Sequence, residues 1–249
     1  MNAPVHYPAA GTALLRPLAG RVGSQEWLDI ARLSAEFADG TIYLPGHSAF
    51  ELRGITDSAA FDDAVAGTRL NATTCTVLAS PLSPRARSLA ASVAAELADA
   101  APDLVVGIDD GDGRIAGRGL DAGAIAVDDA HVELIIGGAR TGHVLADAAV
   151  PGAIAAALGD AGTAGIERET LNPSDGPIGW LPTEGDRVHL GAGIPAMPAP
   201  YAEMVGRMEI DGMLTAWRGV LFYDLPEGDA EVVIRFLAPR GFVFDVNAV

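Results

Sequence analysis

The sequence predicts an α+β protein in which two distant segments fold together as one domain, while the segment between them forms an inserted α+β unit. Three observations carry this expectation. First, the ends of the chain repeat one pattern. Leu14-Leu15-Arg16 precedes a helix over Ser24 to Ala38, followed by Asp39-Gly40-Thr41-Ile42-Tyr43-Leu44 and His47; Val188-His189-Leu190 precedes a short helix, followed by Asp211-Gly212-Met213-Leu214-Thr215 and Arg218. Second, the pattern changes in the middle, where an alanine-rich helix and short apolar runs replace it. Third, 249 residues with 49% hydrophobic side chains are enough for one sizeable core or two smaller ones. The expected boundaries are 11–74 with 176–249 for the paired halves, 75–160 for the insert and 161–175 for the connection.

The elements follow in order. Residues 1–10 hold two prolines and no periodicity, which predicts a mobile arm or strap. Trp27, Ile30, Ala31, Ser34 and Phe37 recur at helical spacing after a Ser24 cap, and Gly40 ends that helix. Phe50 to Ile55 alternates as a half-buried strand does, and Asp57 to Ala66 can form the next helix. Pro84 opens a helix carrying Leu89, Val93 and Leu97 that stops at Pro102. Strands are expected at Leu104–Ile108, Ala124–Val127 and His131–Ile136, then a helix from Val144 to Leu158. Glu167 to Trp180, rich in Gly, Pro and polar residues, reads as the way back to the first domain. The last strands are expected at Arg218–Tyr223 and Glu231–Phe236.

Charge and cysteine content exclude several functions. A formal net charge of -17, from 33 acidic and 16 basic residues, opposes binding to a phosphate backbone, so nucleic acid is not expected as a partner. No run of eighteen apolar residues predicts a membrane span, and Met1 to Ala10 lacks the pattern of a secretory signal, so the expected location is cytoplasmic. The single cysteine, Cys75, allows no internal disulfide and no thiolate cage for zinc or an iron–sulfur cluster. The five histidines lack metal-ligand spacing, so no metal site is expected.

Four basic residues are candidates for anion binding. Arg53 and Arg218 lie at strand ends in the two outer segments, with His47 close to the first; an acidic ligand needs such donors converging from different elements. Gly137-Gly138-Ala139-Arg140-Thr141-Gly142-His143 reads either as a tight connection or as a loop whose N–H groups and Arg140 hold an anion. Asp109-Asp110-Gly111-Asp112-Gly113 reads as a turn, because the further ligands of a calcium loop are missing. No catalytic residue is identified.

These segments resemble a known family. Leu33 to Phe37, Asp39 to Leu44 and Phe50 to Ile55 resemble the ferredoxin-like half-domain of the sirohaem nitrite and sulfite reductase superfamily. Val77 to Leu82, Val106 to Arg114, Gly179-Trp180-Leu181-Pro182 and Leu214 to Leu221 extend the likeness over nearly the whole chain, which is most similar to the precorrin-3B synthases. The resemblance implies two pseudo-symmetric ferredoxin-like half-domains forming one domain, with an inserted unit like a sirohaem domain. It also implies that a sirohaem-type or related acidic tetrapyrrole binds near His47, Arg53, Arg218 and Arg140, in cobalamin biosynthesis. The chain departs from the family in two ways: the four cluster cysteines are missing, and Pro45-Gly46-His47 stands where an arginine normally follows the first strand. It therefore resembles a short or truncated relative without its own four-iron cluster. The alternative is a non-catalytic scaffold or subunit that pairs with a protein supplying the missing segment, and a protein partner or a homo-oligomer is accordingly the other partner expected beside an acidic tetrapyrrole.

Overall fold

The computed structural model describes residues 3–160, 176–183, 185–245 and 247. Packing divides the chain into two compact units, one over Val5–Asn71 and Leu171–Val249, the other over Met1–Pro4 and Ala72–Thr170.

The first half opens with β1 (His6–Ala9) and β2 (Thr12–Leu15), an antiparallel pair turned at Gly11, whose φ is +70°. The expected mobile arm is therefore in part an edge strand. Next come β3 (Arg21–Val22), α1 (Ser24–Phe37), β4 (Thr41–Tyr43), β5 (Phe50–Arg53) and α2 (Ser58–Ala66). Helix α1 buries Trp27, Ile30, Ala31, Leu33 and Ser34 on one face. Its cap is Gly23 rather than Ser24: the Gly23 N–H donates to Glu26 Oε2 at 3.0 Å, while the Ser24 hydroxyl donates to the Gly206 carbonyl at 2.7 Å. The Asp57 carboxylate caps α2 by accepting from Ala60 N–H.

The middle unit contains β6 (Thr76–Ala79), α3 (Pro84–Glu96), β7 (Val105–Asp109), β8 (Ala122–Ala126), β9 (His131–Ile136), β10 (Ala139–Ala146) and α4 (Val150–Asp160). The sheet order is β10-β9-β8-β7-β6; β6, β7 and β8 run parallel, whereas β9 and β10 are antiparallel to their neighbours. Two expectations are corrected here. Residues 144–146 end a strand, so the helix begins at Val150. Gly137-Gly138 joins two strands rather than a strand and a helix; both glycines have positive φ, +58° and +76°, as a two-residue type I′ hairpin loop requires. The expected connection at 161–175 lies outside the described residues.

The second half contains β11 (Gly179–Pro182), β12 (Arg187–Gly193), β13 (Ala196–Pro198), α5 (Ala199–Arg207), β14 (Gly212–Leu214), β15 (Gly219–Pro226) and α6 (Glu227–Leu237). The expected strand at 231–236 is thus a helix. Val232-Val233-Ile234 has the β-branched character of a strand, but burying Ala230, Val233 and Leu237 requires helical spacing, and that tertiary demand prevails. Glu227 and Asp229 in the first turn and Arg235 in the last also favour the helix through its dipole.

The two halves are pseudo-symmetric and interlocked. One sheet runs β1-β2-β5-β4-β13 and the other β11-β12-β15-β14-β3, so each half lends a strand to the sheet of the other. Helices α1 and α5 pack at the centre, and both halves fill one core that includes Trp27, Phe50, Phe61, Val205, Val220 and Phe222. The fold is α+β, built from two ferredoxin-like half-domains.

Candidate functional site

Backbone pairing identifies which residues of the two halves correspond. Asp39 N–H donates to the Arg53 carbonyl at 2.8 Å, and Tyr223 N–H donates to the Asp211 carbonyl at 3.0 Å. Tyr43 pairs with Glu51 as Met213 pairs with Leu221. Just before each second strand stands a non-glycine residue in the left-handed region, Ser48 at φ +49° and Arg218 at φ +56°. The counterpart of Arg218 is therefore Ser48, and that of Arg53 is Tyr223. Arg53 and Arg218 are not symmetry mates.

Arg218 sits on a tight turn. Thr215 N–H donates to the Gly219 carbonyl at 2.9 Å, the Thr215 hydroxyl accepts from Trp217 N–H at 3.3 Å, and Trp217 is buried as an anchor. The Arg218 carbonyl accepts from Ile194 N–H at 3.0 Å, which fixes the backbone, while the side chain is exposed and has no ion pair among the described residues. Holding a non-glycine residue at this φ costs about 1 kcal/mol, and such strain often marks ligand-contacting positions.

The structure brings His47 near this turn. Gly20 lies between them: a Cβ built on it would meet the Leu214 carbonyl oxygen at 2.9 Å and Ser48 Cβ at 3.0 Å. The loop over 44–49 and the turn over 214–219 therefore approach one another across Gly20, and both carry an exposed basic residue. Ser48, beside Gly20, is 4% exposed, and its buried hydroxyl has no hydrogen-bond partner among the described residues. Sequence reasoning missed Ser48, whose only signal is its place in the repeat.

Arg53 lies at the far end of β5 from His47, about 10 Å along the strand from Phe50. Its guanidinium hydrogen-bonds to Glu51 Oε1 at 2.6 Å and stacks 3.9 Å above the Tyr43 ring; Tyr43 in turn donates to Asp39 Oδ2 at 3.1 Å. The Glu51 hydrogen bond raises the Arg53 pKa above its usual value. Arg140 belongs to the other unit, on β10, where it hydrogen-bonds to Glu133. That bond and the Gly142 N–H hold the Glu133 carboxyl below the ordinary range. The N–H groups of Gly137 and Gly138 donate to the Asp121 and Leu120 carbonyls at 2.9 and 2.8 Å, so they are not open to an anion.

Asp109, Asp110 and Asp112 bring carboxylate oxygens within 4.8 Å of one another. The buried Asp109 carboxylate, however, accepts four backbone N–H groups, from Gly111, Gly113, Ile115 and Ala116, at 2.8 to 3.0 Å. Those donors use its lone pairs, and the motif is the structural turn that the sequence implies. The residues present do not fit a four-iron cluster: the chain has one cysteine, and Cys75 is buried with Sγ 3.9 Å from the Leu97 carbonyl. They do fit, in kind, the acidic rim of a tetrapyrrole, because Arg218 and His47 present a guanidinium and an imidazole to solvent on adjoining loops.

No helix of the described residues is long and apolar enough to cross a membrane. No protein-family model matches the chain, and no curated protein matches it. Among solved structures it is similar to the NirA protein of Mycobacterium tuberculosis, with a TM-score of 0.71 and 15% identity. The likeness covers 94% of this chain and 57% of that one, so the chain spans little more than half the length of the structure it matches. At this identity the likeness is one of fold, and the chain has the fold of the NirA protein, with two ferredoxin-like halves interlocked by exchanged strands.

Proposed function

We propose that this protein is a short relative of the precorrin-3B synthases that binds an acidic tetrapyrrole, sirohaem or a related corrinoid precursor, as part of cobalamin biosynthesis. The observation that carries this reading is the approach of two basic loops across Gly20, with Arg218 held at a strained φ and its guanidinium exposed. Arg218 would take a peripheral carboxylate as a two-pronged donor, and His47 would add a second contact that strengthens when its imidazole is protonated. Arg53 is the other expected contact in this unit, and it would have to leave Glu51 to join. The corresponding domain assignment is 11–74 with 176–249 as the paired halves, 75–160 as the sirohaem-domain-like insert and 161–175 as the connection.

These 249 residues hold one cysteine and so supply no four-cysteine ligand set for an iron–sulfur relay. The test is anaerobic titration with sirohaem and with a corrinoid precursor bearing several carboxylates, followed by absorption spectroscopy. Saturable binding should weaken about 10- to 100-fold in Arg218→Ala, the loss expected for one charge-assisted pair. No binding by the wild-type protein, or equal binding by the variant, would sink the proposal.

A further inference from the structure

Helices α2 and α6 hold equivalent places in the two halves, each following the second strand of its repeat. Their outer faces differ. The exposed positions of α2 are Ser58, Ala59, Asp62, Asp63 and Ala66, as expected of a solvated face. On α6 the exposed positions are Glu227, Gly228, Asp229, Glu231, Val232, Arg235 and Phe236, so two large apolar side chains stand out among charged ones, Val232 at 56% exposed and Phe236 at 39%. Asp229, Val232, Phe236 and Arg240 follow one another at spacings of 3, 4 and 4, which places them in a single stripe along the helix and the turn after it. The Arg240 guanidinium lies 4.3 Å from the Phe236 ring centroid, so the stripe is continuous at that end.

The order acid, apolar, apolar, base is self-complementary when reversed. We propose that α6 is a docking surface for a second copy of this chain, paired antiparallel about a two-fold axis near Ile234. That register sets Val232 against Phe236 of the second copy, and Asp229 against its Arg240, each twice by symmetry. The charges favour this occupant: in a chain of net charge -17, the basic end of the stripe faces the acidic end of its own mate. One helix pair is a small interface, and overall negative charge opposes association. The expected dimer is therefore weak, with a Kd of about 10 µM to 1 mM. This inference is independent of tetrapyrrole binding.

The test is sedimentation equilibrium of the full chain from about 5 to 500 µM at about 0.15 M salt. Wild-type protein should show reversible monomer–dimer behaviour. Val232→Glu with Phe236→Glu should weaken the dimer about 100-fold or more, with circular dichroism and melting reporting an intact fold. Asp229→Arg and Arg240→Asp, each alone, should weaken self-association about tenfold or more, because each sets like charges face to face. Mixed together, those two variants should associate, since every charge pair is then opposite. A monomeric wild-type protein throughout, a dimer indifferent to these changes, or a mixture that stays monomeric overturns the proposal.

Discussion

Replacing Gly206 with alanine tests the contact on which the pseudo-symmetric arrangement turns. Gly206 lies in α5 where that helix crosses α1, and an added Cβ would stand 2.9 Å from Leu28 Cγ and 2.9 Å from the Ser24 carbonyl oxygen. Helix propensity alone favours alanine by about 1 kcal/mol. Against this, forcing a methyl group into a closed contact costs about 1–3 kcal/mol. Separating the helices also weakens the 2.7 Å hydrogen bond from the Ser24 hydroxyl to the Gly206 carbonyl, worth about 1 kcal/mol. The balance is a destabilisation of about 2 kcal/mol, or a fall in melting temperature of about 4–8 °C for a chain of this size. Gly228, in α6, is the control: a Cβ there meets nothing within 4 Å, so Gly228→Ala should be neutral or stabilising by about 0.5 kcal/mol. Thermal and urea denaturation followed by circular dichroism measure both. A Gly206→Ala protein as stable as wild type would mean that α1 and α5 do not pack closely at this point.

Two further predictions concern the other unit. Asp109→Asn leaves four backbone N–H groups facing a single amide oxygen and a competing NH2, which should destabilise the unit by about 3 kcal/mol; hydrogen exchange at Gly111, Ile115 and Ala116 would report it, and unchanged protection would show the carboxylate is not the organiser of the turn. The hydrogen bonds from Arg85 to Asp147 and from Arg140 to Glu133 lower both carboxyl pKa values in the folded state. Their contribution is thus fully present above the unfolded values of 3.8 and 4.5 and is lost as pH falls through the folded ones. Urea midpoints of Arg85→Met and Arg140→Met should consequently vary less with pH than wild type between about pH 5 and pH 3, and parallel profiles would refute the assignment.

Where side-chain period and burial agreed, the sequence was legible. Helix α1, with Trp27 and Ile30 buried, β5, with Phe50 and Leu52 buried, and α3, opened by Pro84, all lie close to where periodicity puts them. Two elements were misread for physical reasons. In α6, the β-branched run Val232-Val233-Ile234 masked a buried stripe three and four residues apart. At Gly137-Gly138, a hairpin signal was read as a loop leading to a helix, because the exposed strand β10 carries no alternating burial to reveal it. The basic site was only partly legible. Nine residues separate Asp39 from Ser48, but seven separate Asp211 from Arg218, so matching the repeats by their Asp-Gly pairs puts the loops out of register. That match puts Gly46 opposite Arg218, and the basic residue beside it, His47, then looks like the counterpart, although the backbone gives that place to Ser48.

The Asp-Gly pairs themselves show why a repeat can be visible in sequence and still mislead in detail. Gly40, at φ +81°, ends α1; in the second half that turn falls to Glu209 at φ +55°, while Gly212 is a strand residue whose Cβ would meet the Leu221 carbonyl at 3.0 Å. The same dipeptide thus meets two unrelated steric demands. What the halves share is imposed by the interlock: β3 needs β14, β13 needs β4, and α1 must lie against α5. Neither half can complete its sheet alone, so these elements are constrained together. The loops before β5 and β15 and the outer faces of α2 and α6 escape that constraint. It is there that the halves differ most in chemistry, with Ser48 opposite Arg218, and the small and acidic exposed positions of α2 opposite the exposed Val232 and Phe236 of α6. The symmetric interior accounts for the fold, and the asymmetric exterior is where binding to a tetrapyrrole and to a second copy is to be sought.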